Sequence, residues 1–151
     1  MTMTVSELLA DKAEQAPHST LYALGPDAGI ADAVALMTDK AISSVVVAAD
    51  GEMLGLITLH EILAALNTRG GTIMQAKCGE VMKANPPTAK PEDSVDQLRG
   101  LMTELHITHV PVMKEKLLIG IVSFHDIARS AIKDAAFENK LLKQYIRNWP
   151  A

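Results

Sequence analysis

A single cysteine, Cys78, leaves no partner for an internal disulfide and no set of thiolates for a zinc site, so its expected place is that of a small, apolar core side chain. Aromatic residues make up only 3%, and the core has to be built from aliphatic side chains and from eight methionines, whose flexible thioethers adapt their packing. No basic cluster exists: 14 lysines and arginines are scattered among 18 acidic residues, the net charge is −4, and nucleic acid is not an expected partner. Nowhere do 18 apolar residues run together, and Met1 to Leu9 shows no basic stretch leading into an apolar one. A soluble, cytoplasmic chain with no membrane partner is expected. At 151 residues and 48% hydrophobic, the chain is long and apolar enough to bury a core.

What the chain does have is a repeat. Gly120-Ile121-Val122-Ser123-Phe124-His125-Asp126 sets an apolar strand directly before a helix, with a hydroxyl and a carboxylate at the junction. An offset of 65 residues brings it onto Gly55-Leu56-Ile57-Thr58-Leu59-His60-Glu61, with the same order of glycine, apolar pair, hydroxyl, apolar, histidine and acid. Each copy reads strand, helix, strand, strand, helix. In the first, Leu21 to Leu24 is a strand and Asp27 caps a helix carrying Ile30, Val34, Leu36 and Met37. Ser44 to Ala48 and Met53 to Thr58 then form a hairpin about Asp50-Gly51, and Leu59 to Leu66 is helical. In the second, Gly79 to Met82 is a short helix, Pro86 to Lys90 the leading strand, and Ser94 opens a helix to Leu105 through a capping box. Val110 to Met113 and Leu117 to Ser123 pair around Lys114-Glu115-Lys116.

Strands this short do not make a stable sheet alone. The expected fold class is therefore α+β: two pseudo-symmetric motifs whose small mixed sheets pack face to face and leave two equivalent clefts. Residues 1–68 are expected as the first motif, 69–77 as a polar, glycine-rich linker, 78–132 as the second motif and 133–151 as a helical extension. That extension sets Phe137, Leu141, Tyr145 and Trp149 on one stripe, which predicts a homodimer.

In combination, Gly79-Glu80-Val81-Met82 with Asn85-Pro86, Pro91-Glu92-Asp93-Ser94-Val95, Ile107-Thr108-His109-Val110-Pro111-Val112 and the corner from Gly120 to Ile127 resemble the tandem cystathionine-β-synthase (CBS) domain pair, the Bateman module. The resemblance runs from Val5 to about Ile132. It implies a regulatory fold rather than an enzyme, with no catalytic residues, no metal and no required cofactor. It implies an adenosine-containing regulatory ligand (AMP, ADP, ATP, NAD(H) or S-adenosylmethionine) and modules that associate into a disc. In the second cleft it implies that Ser123 and Asp126 meet phosphate and ribose hydroxyls, while Thr88 and Ala89, with Thr108, His109, Val110 and Pro111, hold phosphate and base. Lys90 reads either as a phosphate contact or as a solvated turn lysine.

The chemistry of these residues agrees with that assignment. A carboxylate accepts two hydrogen bonds from a vicinal diol, and a helix N-terminus offers free N–H groups to phosphate. Pro111 has no N–H, which predicts an open strand edge for the adenine, and a charged His109 would strengthen phosphate binding at lower pH. The matching first-cleft positions are Ala23, Ser43, Ser44, Val45, Thr58 and Glu61. There Glu61 is one methylene longer than the aspartate, Ala23 lacks the hydroxyl of Thr88, and about eight extra residues stand between Glu7 and Ala23. The first cleft is expected to be the weaker.

Other readings stay open. Ser123 with Asp126 and Thr58 with Glu61 also fit capping boxes that serve their own helices. His106, His109 and His125 with Asp126 are residue types of a metal or hydrolytic site, although the duplication of His125 as His60 fits a helix-start position better than catalysis. Three functions follow: a non-catalytic module that passes a ligand-induced change to a partner protein, a dimeric structural adaptor with vestigial clefts, and a histidine-based metal or nucleotide hydrolase.

Overall fold

The structure, a computed structural model, describes residues 3–15, 21–132 and 143. In the first copy of the repeat, β1 (Ala23–Leu24) pairs in parallel with β2 (Ser44–Ala49), which turns into the antiparallel β3 (Glu52–Thr58). Asp50 and Gly51 take φ of 53° and 78°, the left-handed pair that suits a tight hairpin between twisted strands. Between β1 and β2 runs α2 (Ile30–Lys40), with Ile30, Ala33 and Met37 buried at helical spacing, and α3 (Leu59–Arg69) follows β3. The second copy repeats the order with α5 (Val95–Leu105), β5 (His109–Lys114), β6 (Leu117–Ser123) and α6 (Phe124–Ile132). Its leading strand, expected over Pro86 to Lys90, shrinks to the single bridge of Ala89 with Val112. Pro86 and Pro87 have no N–H to give a ladder.

The two copies exchange their first helices. α1 (Val5–Gln15) packs on the second copy: the N–H groups of Val5 and Ser6 donate to the carbonyls of Asp93 and Pro91, both at 2.8 Å, and Val95 donates to Met3 at 2.8 Å. The equivalent residues do the same for the first copy, where Cys78 donates to Ala28 at 2.8 Å, Gly79 to Pro26 at 2.9 Å and Ile30 to Ala76 at 2.8 Å. As a result α4 (Cys78–Val81) covers the first core and β4 (Lys83–Ala84) completes the first sheet, whose order is β1-β2-β3-β4. The stretch expected as a polar linker is not idle: Gly70–Gln75 forms a 3-10 helix and buries Ile73 in the first core.

Each core is therefore composite. Val5 and Leu8 of α1 pack with Leu98, Met102, Val110, Val112, Val122 and Ile127, while Cys78 and Val81 pack with Ile30, Ala33, Val47 and Ile57. Val46, Leu56 and Ile121 form a third buried cluster that joins the two sheets face to face. The repeated glycines Gly55 and Gly120 stand where the exchanged segments approach most closely, against Met82 and Lys83 in one case and Leu9 in the other. Among the described residues no helix is long and apolar enough to cross a membrane. The helical extension expected over 133–151, with its aromatic stripe, lies outside the described residues.

Candidate functional site

The register of the β5–β6 hairpin sets His109 opposite Ser123, so the start of one strand, the end of the other and the first turn of α6 meet at one corner. Asp126 is 3% exposed there. Its Oδ2 accepts from the Ser123 N–H at 2.8 Å while the Ser123 hydroxyl accepts from the Asp126 N–H at 3.1 Å, a reciprocal cap on α6. Two cations close on the same carboxylate. Lys12, carried in by the exchanged α1, donates from Nζ to Oδ2 at 2.8 Å and to the carbonyl of Ile121 at 2.8 Å, and Arg129 donates to Oδ1 at 2.9 Å. Burial pushes the Asp126 carboxyl up, but the Lys12 hydrogen bond, the Ser123 N–H and the Lys12 charge outweigh it and hold the carboxyl below its ordinary value.

His109 ties the two copies together. Its Nε2 lies 2.8 Å from the hydroxyl of Ser43, which the sequence placed in the first cleft, and its Nδ1 lies 2.8 Å from the hydroxyl of Thr108. In the neutral ring one nitrogen donates and the other accepts. Burial and then the Lys12 charge lower its pKa from 6.5 to about 4, against the opposing pull of Asp126 and Glu61. Without a ligand the ring is thus neutral at pH 7. The unfolded chain takes up this proton first as pH falls below the ordinary 6.5, so stability drops through that window and the loss levels off below about 4. Between pH 7.5 and 5 the wild type should lose on the order of 1–2 kcal/mol more than His109→Gln by urea unfolding. Equal losses in the two proteins would remove burial of this ring from the account.

The first corner is closed on itself. Glu61 Oε1 accepts from the Thr58 N–H at 2.8 Å and from the Thr58 hydroxyl at 2.6 Å, and that hydroxyl accepts from the His60 N–H at 3.2 Å. The capping reading therefore describes both corners, but only Asp126 is drawn toward cations. Ala23 is exposed, Ser44 is half-buried opposite Thr58, and Val45 is fully buried. A hollow of about 400 Å³ nearby is lined by Glu61, Thr68, Arg69, Glu80 and Lys83, among others.

The remaining second-cleft positions divide by exposure. Thr88, Lys90 and Thr108 are exposed, and the Lys90 N–H donates to Asp93 Oδ2 at 2.8 Å. Ala89, Val110 and Pro111 are buried and present backbone alone. The strand edge expected to be open at Pro111 is filled, because the Ala89 N–H donates to the Pro111 carbonyl at 2.9 Å and the Ala89 carbonyl accepts from the Met113 N–H at 2.8 Å. Lys12 and Arg129 belong to no motif read from the sequence. Arg129 could have been found from its place one turn after Asp126, whereas nothing local marks Lys12. Among the described residues no three histidine, cysteine or acidic side chains stand together as metal ligands.

Two motifs packed face to face, each ending in a hydroxyl-acid corner at its strand-to-helix junction, define a paired module. The chain belongs to the CBS domain family, which matches residues 13–68 and 78–133. It is similar to the CBS domain-containing protein CBSX3, mitochondrial, of Arabidopsis thaliana, at 32% identity over 149 residues that cover 95% of this chain and 72% of that protein. In fold it is similar to the CBS domain pair of protein MJ0100 in complex with 5′-methylthioadenosine and S-adenosylmethionine, with a TM-score of 0.71, 23% identity and coverage of 86% of this chain and 96% of that one. It is also similar to CBSX2 in complex with AMP, with a TM-score of 0.65, 20% identity and coverage of 76% and 89%.

Proposed function

We propose that this CBS pair is a non-catalytic regulatory module, which binds one adenosine-containing ligand in the second cleft and passes the resulting change to a partner protein. The observation that carries this reading is Asp126: a buried carboxylate at a helix N-terminus, beside a hydroxyl and a neutral imidazole, where a vicinal diol finds an acceptor. Two proteins of the same fold are held in complexes with adenosine compounds, which supports the choice among AMP, ADP, ATP, NAD(H) and S-adenosylmethionine. Thr88 supplies a hydroxyl where the first cleft has Ala23, and Lys12 and Arg129 stand at Asp126, which supports one ligand per chain, in the second cleft. Leu59, Leu63 and Leu66 of α3 are 65%, 66% and 47% exposed, and this apolar row supports a homodimer. A cytoplasmic location completes the proposal and rests on composition.

Calorimetry and thermal unfolding with AMP, ADP, ATP, NAD, NADH and S-adenosylmethionine test it. A ligand at about 100 times its Kd should add about 2.7 kcal/mol, several degrees of melting temperature, with one site per chain. The gain should vanish in Asp126→Asn. No gain with any compound would leave the corner as a helix cap and turn the reading to a structural adaptor, and nucleotide turnover that depends on His109 would turn it to a hydrolase.

A further inference from the structure

The second cleft holds two cations on one carboxylate, and the distances show which of them a ligand has to move. A carboxylate oxygen has two lone pairs. Oδ2 of Asp126 spends both, on the Ser123 N–H and on Lys12, while Oδ1 spends one on Arg129. One acceptor position is left, and a ribose diol needs two. The Ser123 donor is backbone and Arg129 stands on the same helix as Asp126, whereas Lys12 reaches in on a flexible four-carbon stem from a different helix. Lys12 is the donor that yields.

Once displaced, its ammonium has lost its anion at a site where the side chain is only 19% exposed, with the Ile121 carbonyl as its remaining partner. A half-buried charge without a counter-charge is costly, so a ligand that brings its own anion is favoured over one that does not. No other charge does this task from the imidazole side, since burial keeps His109 neutral at pH 7.

We infer that Lys12 is the residue by which the second cleft selects a phosphorylated adenosine compound over an uncharged or cationic one, leaving Asp126 for the ribose and meeting the phosphate. This rests on the nucleotide-binding reading above and adds to it the charge of the ligand and the residue that reads it.

The test compares AMP with adenosine, which share base and ribose and differ in the phosphate, by calorimetry on the wild type, Lys12→Met and Lys12→Arg. The wild type should hold AMP about tenfold more tightly than adenosine or better, a difference of about 1.4 kcal/mol or more. Lys12→Met should bring that ratio close to one, and Lys12→Arg should restore it. A ratio unchanged in Lys12→Met, or lost equally in Lys12→Arg, would overturn the charge role and leave Lys12 as a prop for Asp126. The wild-type comparison depends on no variant: equal affinity for AMP and adenosine overturns this inference alone, while binding of neither, with no gain from ADP, ATP, NAD, NADH or S-adenosylmethionine, overturns the adenosine-ligand reading and this one with it.

Discussion

Asp126→Ala should lower the stability of the unliganded chain by about 2–3 kcal/mol, somewhat less than the roughly 3–5 kcal/mol that removing one partner of a fully buried ion pair costs, because Lys12 and Arg129 are partly exposed. Three donors converge on this carboxylate, and the substitution leaves each in a different condition. The Ser123 N–H loses its cap acceptor in the first turn of α6. Arg129, 25% exposed, turns to water at little cost, but Lys12 keeps only the Ile121 carbonyl. Because Lys12 belongs to α1 and Asp126 to α6, the pair also fastens the exchanged helix to the core it covers. In urea unfolding the loss should appear as a lower midpoint, and in thermal unfolding as a fall of roughly 5–10 °C for a chain of this size. Asp126→Asn keeps the shape and one acceptor and should lose about half as much. A loss below about 1 kcal/mol in Asp126→Ala would mean that water already screens the pair.

Strand, turn and helix were legible because their signals are local. The β-branched apolar run of Val45 to Val47 and the hydroxyl-acid corner at Thr58 and Glu61 have counterparts in the second copy, and although Glu115-Lys116 stands where Asp50-Gly51 marks the first turn, the structure builds a hairpin in both. The site was legible only in part. Ser123, Asp126 and His109 do share one corner, since the pairing of β5 with β6 follows from the hairpin. What could not be read is which core a short amphipathic helix covers: α1 and α4 are held by hydrogen bonds to residues far along the chain, such as Val5 to Asp93 and Cys78 to Ala28. The extra residues between Glu7 and Ala23 were its one trace.

Lys12 was missed for the same reason, because a single lysine on a short helix reads as a solvated one. The neutrality of His109 follows from burial between the copies, where Ser43 of the first meets it, and burial of that kind is not written in a local motif. At Pro111 the missing N–H was read as a free edge, yet the edge offers the carbonyl of Pro111 and the N–H of Met113, and Ala89 takes both.

The exchange itself predicts unequal results from one substitution made at two equivalent positions. A β-carbon on Gly55 would stand 2.5 Å from Met82 Sδ, 2.9 Å from its Cγ and 2.7 Å from the Lys83 carbonyl oxygen. The methionine side chain can swing away, but the carbonyl is backbone of β4, held to β3 by the pairing of Gly55 with Ala84 and Leu56 with Lys83, so the sheet edge has to open. A β-carbon on Gly120 would meet only the tips of Leu9, at 3.0 and 3.1 Å, and a leucine on a helix face can give by a few tenths of an ångström. Gly55→Ala should therefore cost about 2–4 kcal/mol and Gly120→Ala less than about 1 kcal/mol, measured as shifts in the urea midpoint at constant slope. The asymmetry depends on α4 and β4 lying against the first copy while α1 alone lies against the second. Were each segment packed on its own copy, Lys83 would stand beside Gly120 and Leu9 beside Gly55, and the order of the two costs would reverse. A cost for Gly120→Ala that exceeds that of Gly55→Ala would thus count against the exchanged topology, and with it against the route by which Lys12 reaches Asp126.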